Sequence, residues 1–587
     1  VESFYESPVA TSNFVWIANP ESGRVAFVDA LSVTVRTVEA GNGPRYLAVV
    51  PGQADEVVVL NTLSHDASLL QATAGGAITA TAIPGMPARA NSWAVSSDGH
   101  WAVAWADARR VQDAQGKPVS LPVVEGLQDV AVIELGANPA AKTLAVGYRP
   151  VSVSFAADGG TAYVVTEDGL SVIDLEPRAS GGSKLVRSLP LGSGDGSAHA
   201  RDVSLTPQGD WALVRQDGSS SLTAVDTRTG ALHALTLSAP VTDLDVDASG
   251  TQAVAVLRDA AEVDLIPIPG AFTQGAPVQQ VSVAGQLVGS AVLAANKAIL
   301  FTNAVASDRL VTLDLRTGAI EVARVHAPIY TALPTGDGLH ALVLHAEGTV
   351  PSGPGGTGPR GGAGGQGGSS VGGAATAAGG QSGGVGGAGA AGSGMGGSAA
   401  GAGGTESGGQ GGHAGQSSLG GKGAPSNTGG AAAPASTGGS GQMAGSGGAG
   451  GSGSGSSAPL PLVLGKAFSI VPLTGSLPAR IQGMNARPQS TAFAPDGTWA
   501  LVTERDDDAK TYGVYVAQMP SLQIDRLTLS SPPLAVGLVA PAKRGYVTQL
   551  HPEGRVSFVA LGATDTPELR TLTGFELGAR VVSGTSP

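Results

Sequence analysis

The sequence predicts an all-β protein built as a ring of tandem four-stranded units, and three observations carry that prediction. Apolar, β-branched runs of five to seven residues alternate with Gly, Asp, Asn and Pro turns. No stretch sustains a 3.6-residue apolar period between helix caps. The same order of strands and turns returns along nearly all of the 587 residues.

One unit shows each element. Phe14–Asn19 and Arg24–Asp29 are two strands joined by a short polar turn, and residues 33–38 are a third. The chain then passes Gly43, Pro44 and Arg45 into a fourth strand, residues 46–50, which ends at the turn Pro51-Gly52. Four strands in about 40 residues is the size of one β-propeller blade. The closing turn recurs as Ser97-Asp98-Gly99, Ala157-Asp158-Gly159, Pro207-Gln208-Gly209, Ala248-Ser249-Gly250, Gly336-Asp337-Gly338 and Pro495-Asp496-Gly497. Weaker copies stand at Asn296-Lys297 and Ala542-Lys543. The strand after the turn repeats outright, Trp211-Ala-Leu-Val214 matching Trp499-Ala-Leu-Val502. Farther on, Asp226 and Asp314 each open an Asp-x-Arg-Thr-Gly turn, where a carboxylate can accept backbone N–H groups.

These units resemble the YVTN-type β-propeller repeat, a relative of the WD40 pattern found in exported bacterial and archaeal surface proteins. The resemblance spans nearly all of the chain outside one Gly-rich tract. It is strongest in residues 14–52, 160–250 and 298–338 and degenerate near 260–297. It implies that the strand before each Asp-Gly turn is the innermost of its blade and lines a central channel. Such strands fall near residues 45–50, 91–96, 150–156, 201–206, 241–247, 289–294, 329–334, 489–494, 533–539 and 577–583. The expected fold is therefore a single closed β-propeller of about ten four-stranded blades. Ala579–Val582 is expected to complete the first blade, so that N- and C-terminal strands close the ring and remove its edges.

Residues 351–457 are Gly, Ser and Ala with little else, and Arg360, Glu406, His413 and Lys422 are nearly their only ionisable groups. Such a tract offers no side chains to offset backbone ordering, so disorder is expected. Glycine lacks the strict three-residue period of collagen. A free coil of this length would span on the order of 55 Å. The tract divides the propeller into residues 1–350 and 458–587.

Composition narrows function. A net charge of −13, from 46 acidic and 33 basic residues, argues against nucleic acid or an anionic membrane as the main partner. The absence of cysteine excludes disulfides and cysteine metal sites. No run of 18 apolar residues is present, so no membrane-spanning helix is expected. The chain begins at Val1 without Met, which reads as a removed export signal and an extracellular, cell-surface or periplasmic location.

In a four-stranded meander the second loop of each blade and the inter-blade loop share one face, and the Asp-Gly turns lie on the other. The Gly-rich tract is a second-loop insertion between residues 341–344 and 468–471. Two other unusual loops take the same slot, Asp107–Gly126 with Arg109 and Arg110, and Glu504–Lys510. Arginine recurs just before the inner strand, at Arg45, Arg89, Arg149, Arg201, Arg487 and Arg580. Together at a channel mouth these could take a carboxylate or sulfate by bidentate hydrogen bonds. The plainer reading pairs each arginine with an acid of a neighbouring blade.

Other chemistry is thinly supported. The nine histidines form no H-x-H or H-E-x-x-H pair. Asp243, Asp245 and Asp247 alternate on one inner strand and are weak candidates for a cation site. Asp506, Asp507 and Asp508 read as a solvated charge run more than a calcium loop. No nucleophile elbow, phosphate loop or kinase signature appears. No cofactor is expected. The reading that remains is a monomeric binding or scaffold protein for a protein or glycan partner, not an enzyme. The alternatives are a lactonase-like or metal-assisted enzyme working in the channel, and a structural surface-layer component.

Overall fold

The computed structural model describes residues 8–73, 75, 77–110, 127–191, 201–285, 288–348, 462–474, 478–519, 521–562 and 567–574. Contacts divide the chain into one unit of Val1–Pro351 with Gln416–Pro587 and another of Ser352–Gly415, and every described residue lies in the first. The Gly-rich tract falls outside the described residues.

Ten four-stranded antiparallel sheets, each a meander of consecutive strands, form the ten blades of a β-propeller. Blades 1 to 10 occupy residues 9–39, 44–84, 92–145, 150–190, 201–236, 243–282, 290–324, 329–483, 487–528 and 533–573. Second and third strands are buried on both faces, so they read as continuous apolar runs: Glu56–Asn61 is buried throughout. Outer strands such as Leu232–Thr236 alternate between exposed and half-buried positions, as a strand with one wet face does.

The ten seams between blades are filled by ten apolar clusters. Between blades 1 and 2, Trp16 stacks on Phe27 at 5.3 Å and both pack toward Val57, Val59 and Leu70. Between blades 10 and 1, Val539, Tyr546, Val556 and Phe558 meet Ala10, Val15, Ile17 and Val28. That last cluster closes the ring.

Nine of the expected inner strands are found where the turns placed them, from Pro44–Val49 to Pro533–Val539. The tenth expected strand, residues 577–583, lies outside the described residues. The inner place of blade 1 is taken instead by the two-residue strand Val9–Ala10, which pairs with Trp16 and Val15. Its burial explains the choice: Val9 and Ala10 are 4% and 9% exposed, and Thr11 ties the segment to Asp55 of blade 2 at 2.7 Å. The degenerate stretch near 260–297 holds a one-turn helix, Gly270–Thr273, inserted before the outer strand of blade 6.

The Asp-Gly turns dovetail from blade to blade. Gly99 has φ +71°, and a Cβ there would overlap the carbonyl oxygen of Pro51 in the preceding turn. Gly497, at φ +69°, lies in the same way against Asp337. Only glycine meets both demands, the left-handed backbone and the close approach. Asp226 accepts the N–H groups of Arg228 and Thr229 at 2.9 and 3.0 Å, and Asp314 does the same for Arg316 and Thr317. The expected role of these acids in the turn is what the structure holds.

Candidate functional site

Hydrogen bonds fix which loops share a face. The Asn42 amide donates to Ser64 Oγ at 2.9 Å, and the Tyr148 amide donates to Asp168 at 2.8 Å. In each pair an inter-blade loop is bonded to the second loop of the blade it leads into. Blade 9 uses Glu504, whose Oε2 accepts the amides of Asn485 and Ala486 at 2.9 Å.

Glu504 differs from its expected place in an exposed loop. Strands Trp499–Asp506 and Thr511–Gln518 extend the hairpin by a full pair of residues, which carries Glu504 inside at 0% exposure. Its Oε1 accepts Arg526 Nε at 2.7 Å with Nη2 paired at 2.6 Å, and Tyr515 donates its hydroxyl to Oε2 at 3.3 Å. The aspartates beside it are engaged separately. Arg505 forks onto Asp507 at 2.7–3.0 Å, while Asp506 meets Lys466 at 3.4 Å and accepts the Ala509 amide. They do not converge on a common point.

The six arginines fall into two ring positions and one outside the description. Arg45 is the bulged residue between Pro44 and Tyr46, and Arg201 occupies the same distance from its turn without a bulge. Arg89, Arg149 and Arg487 lie about two residues farther upstream, in or at the end of the inter-blade loops. Arg149 reaches Glu167 at 3.4 Å and lies 5.2 Å from the Tyr148 ring centre. Arg487 forks onto Glu347 of the preceding blade at 2.7 and 3.3 Å. Arg45 and Arg110 each place a guanidinium 5.5 Å from the Tyr46 ring centre. Arg89 is exposed, and Arg580 lies outside the described residues. Similar bulges at Pro150, Ile329, Pro488 and Pro533 shift the start of other inner strands. Bulges of this kind re-aim side chains at a barrel or channel rim.

At one register the inner strands carry mostly small side chains, Tyr46 apart, with one acidic sector. At one register around the ring stand Tyr46, Ser92, Ser152, Asp202, Asp243, Ser290, Thr331 and Ala535. No histidine is among them. Asp202 faces Arg215, its cross-strand partner, at 3.7 Å, and Arg215 also holds Asp217 at 2.8 Å. Asp243 accepts the Ala291 amide of the next blade at 2.8 Å. Asp245 makes no hydrogen bond or ion pair among the described residues. Burial raises the Asp202 and Asp243 carboxyls above the usual range, with Arg215 opposing the rise. Burial, then the charges of Asp243 and Asp202, push Asp245 up to about 7.

The expected three-carboxylate set does not form. Asp247 stands past the strand end and is consumed by its turn, accepting the Thr251 and Gln252 amides at 2.9 Å and the Ser249 hydroxyl. Among the described residues no group of three His, Cys, Asp or Glu could hold a metal ion. Sequence reasoning missed Asp202 and Arg215 as members of this sector. The signal was available, since the turns at Gly209 and Gly250 align Asp202 with Asp243. His345, at 1% exposure, is engaged at both nitrogens, with Pro328 O at 3.2 Å and Ser469 Oγ at 2.7 Å.

The fold and this channel define a β-propeller with ten blades. No protein-family model and no curated protein matches the chain. Among solved structures it is similar to apo AztD from Citrobacter koseri, at 12% identity over 55% of this chain and 87% of that one, with a TM-score of 0.33. It is similar also to the C-terminal WD40 domain of Sif2, at 13% identity over 51% and 78%, with a TM-score of 0.33. A eukaryotic initiation factor is matched over 97% of this chain and 96% of that chain, at 9% identity and a TM-score of 0.39.

Proposed function

We propose that the chain is an exported, WD40-like propeller of the YVTN type, at the cell surface or in the periplasm. In this reading it binds a protein or glycan partner through the face of second and inter-blade loops. The observation that carries the reading is where loop length is spent. The two longest connections between described strands, residues 106–128 and 347–463, both leave from the second slot. The opposite face has turns of two to six residues between inner and second strands and loops of four to eleven between third and outer strands. Loops that vary on a rigid ring are where propellers meet partners. Arg45, Arg89, Arg149, Arg201 and Arg487 stand at the start of inner strands on the same face and, with Arg580 as the sixth expected member, would add contacts to an anionic group. Arg149 and Arg487 would then exchange Glu167 and Glu347 for the ligand.

A channel enzyme is the second reading, and Asp245 is the observation that favours it. A carboxyl raised to about 7 can take or give a proton near neutrality. One experiment separates the two. Glycan and purified surface-protein arrays are probed with the full chain, with residues 111–126 replaced by a short Gly-Ser linker, and with Asp245→Asn. Binding lost only with the linker supports the loop face. Binding indifferent to the linker, with lactone hydrolysis that Asp245→Asn abolishes, moves the function to the channel. Fractionation of the producing cells tests export, and a cytosolic pool would overturn it.

A further inference from the structure

Three blades share a buried polar couple near the second-loop face, and blade 6 keeps only a carboxyl in its place. In blade 2 the couple is Asn61 and Ser68 at 3.0 Å, in blade 8 His345 and Ser469 at 2.7 Å, and in blade 10 Gln549 and Ser557 at 2.6 Å. The first member lies at the end of the second strand, and the other lies opposite the residue two positions before it. At those two places blade 6 has Leu257 and Asp264. A leucine has nothing to donate. Asp264 is 0% exposed, and neither of its oxygens meets a donor among the described residues. Glu262, two residues earlier on the same strand face, also has a buried oxygen without a partner.

The pair faces blade 5. Ile266, on the same side of the strand, packs with Leu213, Leu222 and Ala224 of that blade, while Val263 and Leu265 pack with blade 7. The surrounding charges are otherwise engaged. From blade 5, Arg215 holds Asp202 and Asp217, Asp226 is in its turn, and His233 lies on Trp211. From blade 6 itself, Asp243 holds the Ala291 amide, Arg258 reaches Gly289 O at 3.5 Å, and the outer strand places neutral Gln280 opposite Asp264. Asp245 and Asp259 carry the same sign as the pair. A carboxylate has no counter-ion here, so the closed seam must retain a proton.

We propose that opening of the seam between blades 5 and 6 releases the proton held by the Glu262–Asp264 pair, which makes this seam the pH-sensitive joint of the ring. Burial first, and the Glu262 carboxyl second, raise Asp264 to about 8. The closed seam is therefore protonated at neutral pH, and an opened one is not. Each pH unit between the open and closed values then favours opening by about tenfold.

The test is amide hydrogen exchange of the full chain from pH 5 to 8, corrected for intrinsic base catalysis, in the Asp245→Asn background that removes the one channel carboxyl without a hydrogen-bond or ion-pair partner among the described residues. Protection of Gln252–Leu257 and Glu262–Pro267 is expected to fall by about tenfold per unit, while Trp499–Asp506 of blade 9 keeps its protection. Asp264→Asn is expected to flatten the dependence. Asp264→Ser, which installs the residue of blades 2, 8 and 10, serves if the amide does not fold. Equal slopes in blades 6 and 9, or a slope that survives in both variants, overturns the proposal. So does a slope abolished by Glu262→Gln but not by either change at Asp264.

Discussion

Glu504 gathers five donors on two oxygens, from Asn485, Ala486, Tyr515 and both Nε and Nη2 of Arg526. It bonds the loop between blades 8 and 9 to the interior of blade 9, so its removal strands two amides and part of a guanidinium. Glu504→Ala is expected to cost about 3 kcal/mol, at the low end for a buried pair because Arg526 keeps some solvent; urea unfolding measures it. Asp245 behaves oppositely. Its folded value near 7 lies above the unfolded one, so stability falls as pH rises from about 4 to 7. The slope is at most ~1.4 kcal/mol per pH unit, and Asp245→Asn should remove that part of a melting-versus-pH curve. Neither residue was legible in its true setting. Asp245 was seen as an inner-strand carboxyl, but its isolation depends on Asp202 and Asp243 from two different blades. Glu504 was read as the start of the loop Glu504–Lys510, because the length of a hairpin is set by cross-strand pairing and not by local charge.

Turns were the most legible elements, and for a physical reason. Gly99 and Gly497 have positive φ and touch the preceding turn, so each blade must spell the same local sequence. Gly99→Ala is expected to cost about 3 kcal/mol, combining left-handed strain with overpacking against Pro51. Gly218→Ala, also at positive φ but with open space around it, should cost only about 1 kcal/mol. Equal losses on thermal melting would show that the turn-to-turn contact adds nothing. The bulges at Pro44, Pro150 and Pro533 were not legible as bulges, since a proline at a strand start is compatible with either register. The arginines consequently looked equivalent when they occupy two positions.

At the scale of the whole molecule, the repeat fixed the number of blades and the inner strands, while the start of blade 1 escaped notice because two residues make no pattern. The second-slot insertion is anchored by a closed hairpin. Ala346 pairs with Leu464, and the Glu347 amide donates to Val463 O at 2.7 Å. Deleting Gly361 to Gly455 is therefore expected to leave the melting temperature within about 2 °C of the full chain, given that a longer loop adds only logarithmically to closure entropy. A collapse of the transition would show that the tract supports the ring.

The self-sufficiency of blade 1 has a mechanical meaning. Every other seam is crossed by the continuous chain, but among the described residues the one between blades 10 and 1 is held by side chains and the Tyr546 hydroxyl on Pro8 O, with no ladder crossing it. Among the described residues the ring is therefore closed there by a joint of packed side chains, with no strand shared across it.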